Sequence, residues 1–409
     1  MPEDSLIQVP EALRRRLGLP LLVLYGTGIT IGAGIYVLIG AVVNHSGRYA
    51  PWSFILAALV MALTVASYAE LSTRFPFSAG EAVYVKAAFH SRALSTGTGL
   101  LTIAVGVISS SAVALGAAGY LQQFLDWPKG AIVTVVAATL GIVAAWGILE
   151  SVLLASFFTL IEVGGLLAII VAGGVAKIPA FSALAQPIPT DVETLSGIAF
   201  GSLLAFFAFI GFEDLANVVE EAKVPHRDIP RAMILTLLIS TLLYVAIAAF
   251  AVTAVDIREL ASSSAPLSLV FRRLVDVSPS TITVIAIVAT LNTILAQMTM
   301  ASRVIYGMAR QGDLPGFAGQ VHPWTATPLF ATAVIVASTV GLGLLAPLER
   351  LAEVTSLVTL GVFALVNLAL WRLHHRRAHS AKAHVRIPAW VPVAGFFTCL
   401  GMMGTALLQ

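Results

Sequence analysis

Runs of apolar residues about twenty long, separated by short polar connectors, follow one another along nearly the whole chain. They fall at 19–43, 51–73, 95–125, 130–148, 152–176, 194–220, 231–255, 280–308, 328–346, 351–371 and 389–408. A helix needs about 20 apolar residues to cross the hydrocarbon core of a bilayer. The pattern therefore predicts an all-α polytopic membrane protein with about eleven transmembrane helices. The third, sixth and eighth runs exceed what a bilayer needs, which predicts that they tilt or continue beyond it.

Two of the runs carry glycine where an unbroken helix would be expected. Gly26 to Gly34 places four glycines in nine residues of the first run, and Phe206 to Asp214 places Gly211 and two carboxylates in the sixth. If the chain is built as five helices followed by five more, these positions correspond. The reading is a single membrane domain, 1–409, with a first five-helix repeat at 19–176, a second, inverted one at 194–371 and an additional helix at 389–408. Paired broken helices point to a substrate site at mid-membrane depth, where freed backbone groups meet the ligand. Amides of Gly32, Ala33 and Gly34, at the start of the half-helix after the break, suit a carboxylate. Carbonyls of Ile29, Thr30 and Ile31, with those of Phe207, Ala208 and Ile210 across the site, suit an ammonium group. Phe207 and Phe209 flank the second break, and an aromatic ring there would cover the ligand.

Composition agrees with the pattern. Of 409 residues 58% are hydrophobic and 11% charged, and the mean hydropathy is +0.94. Sixteen of the 23 Lys and Arg residues, among them Arg14, Arg15, Arg16, Arg227 and Arg231, fall on one side of the predicted spans. The positive-inside rule makes that side cytoplasmic and places the N-terminus there, in an uncleaved anchor rather than a signal peptide. The net charge of +2 reflects this bias and carries no nucleic-acid signal. A lone cysteine, Cys399, excludes an intramolecular disulfide. Three connectors read as short surface helices: 80–90, 265–275 and 309–321. The histidine-containing stretch 374–379 has the composition of a metal tract, although a basic loop beside anionic lipid accounts for it with fewer assumptions.

Four stretches resemble the amino acid–polyamine–organocation (APC) superfamily of permeases. Gly28 to Tyr36 is similar to that family's glycine-rich first-span element, and Glu220-Glu221-Ala222-Lys223-Val224-Pro225 through Ile229-Pro230 to its post-sixth-span signature. Tyr68 to Pro76 and Ser302 to Pro315 are two further matches. The resemblance implies a leucine-transporter-like fold with alternating access and a substrate carrying both an amine and a carboxylate. Many proton-coupled relatives carry a lysine at the position judged equivalent to Glu162, so this chain departs from that pattern. Glu213 matches a glutamate of some exchangers in the family.

Glu162 lies mid-span, where an ionised side chain costs about 2.5–3.5 kcal/mol on insertion scales. It is either a proton carrier or a fixed acid bridging to the first or eighth span. Glu213 is either a relay whose face continues through Asn217 and Glu220, or a cap on backbone donors freed by the break. Gly28 and Gly211 complete the predicted substrate contacts. Glu70 and Arg74, spaced i, i+4, read as a structural ion pair. Ser109, Ser110, Ser111, Asn292 and Gln297 are polar groups at membrane depth, with serines also able to bond back to their own helix.

No nucleophile, metal or cofactor constellation appears, which excludes an enzyme, and scattered carboxylates do not make a channel's polar stripe. The function expected is an amino acid transporter of the cell membrane, coupled to protons or less readily to sodium. An uncoupled exchanger or uniporter, or a nutrient-sensing receptor on the same fold, are the alternatives. With no further intramembrane acid to hold a cationic side chain, the substrate reading tilts to a neutral amino acid.

Overall fold

The computed structural model describes residues 17–76, 80–146, 152–187, 190–216, 218–275, 280–310, 312–322, 325, 327–375 and 384–408. Helices α1 (Leu19–Ile31) and α2 (Gly34–Ser46) share one crossing. They lead through α3 (Ala50–Arg74) and the short α4 (Gly80–Phe89) to α5 (Arg92–Leu121), α6 (Lys129–Trp146) and α7 (Val152–Val175). Then come α8 (Val192–Phe207), α9 (Pro225–Ala254) and two short helices, α10 (Ile257–Ser262) and α11 (Pro266–Val275). The last four are α12 (Ser280–Arg310), α13 (Leu329–Leu345), α14 (Leu348–His375) and α15 (Trp390–Gly404). Among the described residues nine stretches are long and apolar enough to cross a membrane, one of them joining α2 to α3, and α1 and α13 are shorter apolar helices. Counting α1 with α2 as one crossing and α3 as another gives eleven, as the hydrophobic pattern predicts.

The packing maps onto itself when the first five crossings are exchanged with the next five. Helices α3 and α9, α5 and α12, and α6 and α13 each pack against their own counterpart. Several further contacts come in exchanged pairs: α1 with α7 is matched by α8 with α14, α1 with α9 by α8 with α3, and α5 with α14 by α12 with α7. Even the connectors obey this, since α4 packs on α14 as α11 packs on α7.

The sixth crossing breaks where Gly211 predicts: α8 ends at Phe207, and a turn and two 3-10 segments, Phe212–Ala216 and Val219–Glu221, take up the excess length of the run in place of tilt. One expectation needs correction. The surface helix expected at 309–321 does not form among the described residues: α12 ends at Arg310, and a 3-10 turn, Gly316–Gly319, follows Pro315, which has no N–H to donate to a helical ladder. The other two connectors do form α4 and α11. Of the histidine stretch, 376–379 lies outside the described residues.

Polar side chains tie helix ends together. Glu70 is fully buried and accepts from Arg74 Nε at 2.9 Å and from the Ile387 amide at 2.9 Å, with His374 Nε2 at 2.8 Å. It thereby joins α3, α14 and the connector to α15, so the Glu70–Arg74 pair has the structural role its spacing suggests. The chain before α1 makes a short parallel bridge, with the Leu17 amide donating to Glu221 O (3.0 Å) and the Lys223 amide to Leu17 O (2.8 Å). At the opposite end of that crossing His45 pairs with Glu349 of α14. The eleventh helix is seated on Asn367, whose amide group bonds Ser67 (2.6 Å) and Thr64 (3.0 Å) of α3. Gly395 of α15 lies so close to Asn367 that a Cβ there would stand 2.6 Å from its Oδ1.

Candidate substrate site at the paired helix breaks

The first break is short. Helix α1 ends at Ile31, Gly32 takes a positive φ of 25°, which glycine alone adopts without strain, and α2 begins two residues later. The second is long: after Phe207 the chain turns through Ala208 to Gly211, where φ is 127°, and continues as 3-10 helix.

The two breaks touch reciprocally. A Cβ on Gly34 would stand 2.5 Å from the Cα of Ala208, and one on Gly211 would stand 2.7 Å from Ile29 Cγ2. Thus Gly28 to Gly34 and Phe207 to Gly211, the predicted substrate contacts, are brought to one place. Gly28 itself abuts Thr159 of α7.

Local hydrogen bonds reduce the set of backbone groups left to meet a ligand. The Gly32 amide donates to Gly28 O (2.9 Å) and the Ala33 amide to Thr293 Oγ1 of α12 (3.0 Å). Of the three amides expected to serve a carboxylate, Gly34 is left, and it is joined by Ile35 and Tyr36, because the first turn of a helix cannot satisfy its own donors. Among the carbonyls, Thr30 O and Ala208 O both face the Tyr244 hydroxyl of α9 at 2.8 Å, and Phe207 O accepts the Ile210 amide at 3.2 Å. Ile29, Ile31 and Ile210 keep theirs without a helical partner, as does Phe209.

Glu213 turns back on the break: its Oε2 accepts the Gly211 amide at 2.8 Å. This is the capping geometry; Asn217 of the relay reading lies outside the described residues, as does the side chain of Glu220. Around Glu213 the buried rings of Tyr68, Phe206, Phe212 and Phe363 pack edge to face, with neighbouring centroids 5.3–5.9 Å apart. Phe209 packs edge to face on Tyr244, centroids 5.0 Å apart, and Phe207, two residues before it, is buried.

Glu162 of α7 is fully buried. Its Oε1 accepts from Asn292 Nδ2 of α12 at 3.1 Å, its backbone carbonyl accepts the Tyr36 hydroxyl of α2 at 2.6 Å, and its Oε2 has no partner among the described residues. It therefore bridges the first and eighth crossings. The serines of α5 do otherwise: Ser109, Ser110 and Ser111 all donate back to carbonyls of their own helix.

Sequence reasoning missed Tyr244, Thr293 and Thr159. A signal for the first was present, because Thr236, Ser240 and Tyr244 repeat at i, i+4, i+8 in an otherwise apolar run and so share one helix face. Thr293 follows Asn292 directly, and nothing in its own neighbourhood marked it.

Two facing helix breaks inside a bundle of membrane-spanning helices are an arrangement that repeat-built transporters use for their substrate sites. A family profile described as amino acid permease matches residues 17–408, and the chain belongs to that family, whose members are transporters and not enzymes. It is 29% identical over 390 residues to the branched-chain amino acid permease BcaP of Bacillus subtilis, covering 91% of this chain and 84% of that protein. It is 30% identical over 387 residues to the vacuolar cationic amino acid transporter 4 of Arabidopsis thaliana, covering 90% and 64% respectively. The methylthioribose transporter of B. subtilis is 28% identical over 429 residues, with 96% and 88% covered.

Proposed function

We propose that this protein carries amino acids across the cytoplasmic membrane by alternating access, in symport with protons, with its N-terminus in the cytoplasm. The observation that carries the reading is the pair of touching breaks, which sets three first-turn amides of α2 opposite the free carbonyls of both breaks. A zwitterion fits with its carboxylate on Gly34, Ile35 and Tyr36 and its ammonium group on the carbonyls of Ile29, Ile31, Phe209 and Ile210. The two five-helix repeats, 19–176 and 194–371, rock about this point. Each half-cycle releases one tie on the first crossing, either the Leu17 bridge on the cytoplasmic side or the His45–Glu349 pair on the other.

Both intramembrane acids near the site are engaged, Glu213 by the Gly211 amide and Glu162 by Asn292. Neither is reserved for a cationic side chain, and the walls offered by Ile29, Ile31, Phe207 and Ile210 are apolar. A neutral amino acid is the substrate this supports; the relatives' names span branched-chain and cationic cargo. Proton coupling is assigned to Glu162, because one of its oxygens is bonded and the other is buried without a partner. Protonation neutralises a group whose charge the membrane interior disfavours.

The test is uptake of a labelled amino acid panel into proteoliposomes under an imposed pH gradient, a sodium gradient, or internal unlabelled substrate. Glu162→Gln is expected to abolish stimulation by acidic external pH and to leave counterflow intact. Unchanged pH stimulation in that variant removes Glu162 from the mechanism, and counterflow without any gradient response in the parent makes the protein an exchanger.

A further inference from the structure

Ten buried side-chain polar atoms lack a hydrogen-bond partner among the described residues, and five of them belong to three mutually packed helices, α1, α7 and α9. These are the hydroxyls of Thr27, Thr30, Thr236 and Ser240 and Oε2 of Glu162. All five residues are at most 3% exposed. Buried polar groups are nearly always satisfied, so a cluster of five calls for an explanation.

Hydroxyls in membrane helices ordinarily bond to a carbonyl one turn back. Thr241 and Thr253 of α9 do so, at 2.7 Å each. Thr236 and Ser240, on the face of the same helix that meets α1, do not. Their positions follow one line: Thr236 Oγ1 would touch a Cβ on Gly26, Ser240 is one turn further along, and Tyr244, another turn on, reaches Thr30 O. Buried Thr27 sits in the chain between Gly26, which meets Thr236 of α9, and Gly28, which Thr159 of α7 abuts. Glu162 is one turn beyond Thr159 and within electrostatic reach of Tyr244. At the other end of the line Tyr25, next to Gly26, has Asp214, Glu221 and Arg303 within reach.

We propose that the seam between α1, α7 and α9 is a hydrated conduit, holding a file of internal waters that links Glu162 to the cytoplasmic end of α1. Each hydroxyl is placed to bond one such water, and waters with two to four polar partners are the ordinary occupants of roomy polar interiors. The titratable groups facing Glu162 are Tyr36 from α2 and Tyr244 from α9; α12 presents only the neutral amide of Asn292. No cationic side chain among these competes for the proton. This inference rests on the proton-coupling reading of Glu162 and supplies its route of release.

Two measurements test it. X-ray hydroxyl-radical footprinting labels side chains next to bound water, so Tyr244, fully buried, is expected to be labelled in the intact protein and to lose that label in the Thr236→Val/Ser240→Ala double variant. In proteoliposomes the same variant is expected to slow uptake driven by a pH gradient by about fivefold, the size of one lost hydrogen bond, with counterflow within about twofold of the parent. The milder Ser240→Ala alone serves if the double variant does not fold. An unlabelled Tyr244 in the parent, or gradient-driven uptake unchanged in both seam variants, overturns the conduit. If Glu162→Gln loses its acid stimulation while the seam variants keep theirs, the conduit alone fails; if Glu162→Gln keeps it, coupling through Glu162 and its route fail together.

Discussion

The two breaks occupy equivalent places in a duplicated bundle, yet they are built differently. The first interrupts helix for two residues and hands over at once to α2, so three aligned amides point back into the gap. Among the described residues the second does not regain α-helix before α9, and one of its amides, that of Gly211, is already held by Glu213. The duplication therefore yields a polar pair rather than a symmetric one, with an amide-rich wall at the first break and carbonyls from both. For the zwitterion proposed above, that asymmetry favours one orientation, and it arises from main-chain geometry together with the Glu213 cap on Gly211.

Substitutions that tighten or loosen one break against the other examine this directly. The largest effect is expected from Gly34→Ala, whose Cβ would stand 2.5 Å from the Cα of Ala208. Forcing the breaks apart by a fraction of an ångström should lower counterflow by about 100-fold, since misplacement on the 1 Å scale has that effect on positioned groups. Near-parental counterflow in this variant would show that the contact between breaks does not shape the site. Next is Tyr244→Phe, which removes a hydroxyl that bonds both breaks, at Thr30 O and Ala208 O. A loss of about tenfold in uptake kcat/KM is expected, in line with a hydrogen bond to two buried carbonyls.

A smaller change follows from Thr293→Val, which frees the Ala33 amide from Thr293 Oγ1. Because it alters only the amide-rich wall, it should shift KM by about fivefold or less and leave kcat near the parental value. A kcat effect larger than the KM effect would mean that Thr293 acts in the conformational cycle instead. The smallest effect belongs to Asp191→Ala at the start of α8, far from both breaks. There the Asp191 carboxylate accepts the Thr194 amide at 2.9 Å, and hydrogen bonds from Thr194 hold its carboxyl below the usual carboxylate range. A depressed folded-state value stabilises above the unfolded one and is lost as pH falls through it. The variant should therefore melt slightly below the parent at neutral pH and converge with it in acid, with transport unaffected.

Several parts of this arrangement were legible before any coordinates. The apolar runs gave the crossings, because a bilayer imposes one length on every helix that spans it. The glycines at 26 to 34 and at 211 marked both breaks, because few other residues adopt the backbone angles found at Gly32 and Gly211. Glu162 and Glu213 stood out through the cost of burying a carboxylate.

Pairing across the bundle was not legible. That Thr293 takes the Ala33 amide depends on residues 260 positions apart, and that Tyr244 reaches both breaks depends on α9 lying against α1 and α8 ends alike. Sequence periodicity assigns a residue to a helix face but does not say which neighbour that face meets. The extra length of the sixth run was read from hydropathy alone, which does not distinguish a tilted helix from the 3-10 segments that follow the break. By itself, then, the sequence determined where the chain crosses and where it must unwind, since both follow from local chemistry. Local turns settle the Gly32 and Gly211 amides and the Phe207 carbonyl, but the Ala33 amide and the Thr30 and Ala208 carbonyls were decided only by tertiary packing, because their partners Thr293 and Tyr244 arrive from distant helices.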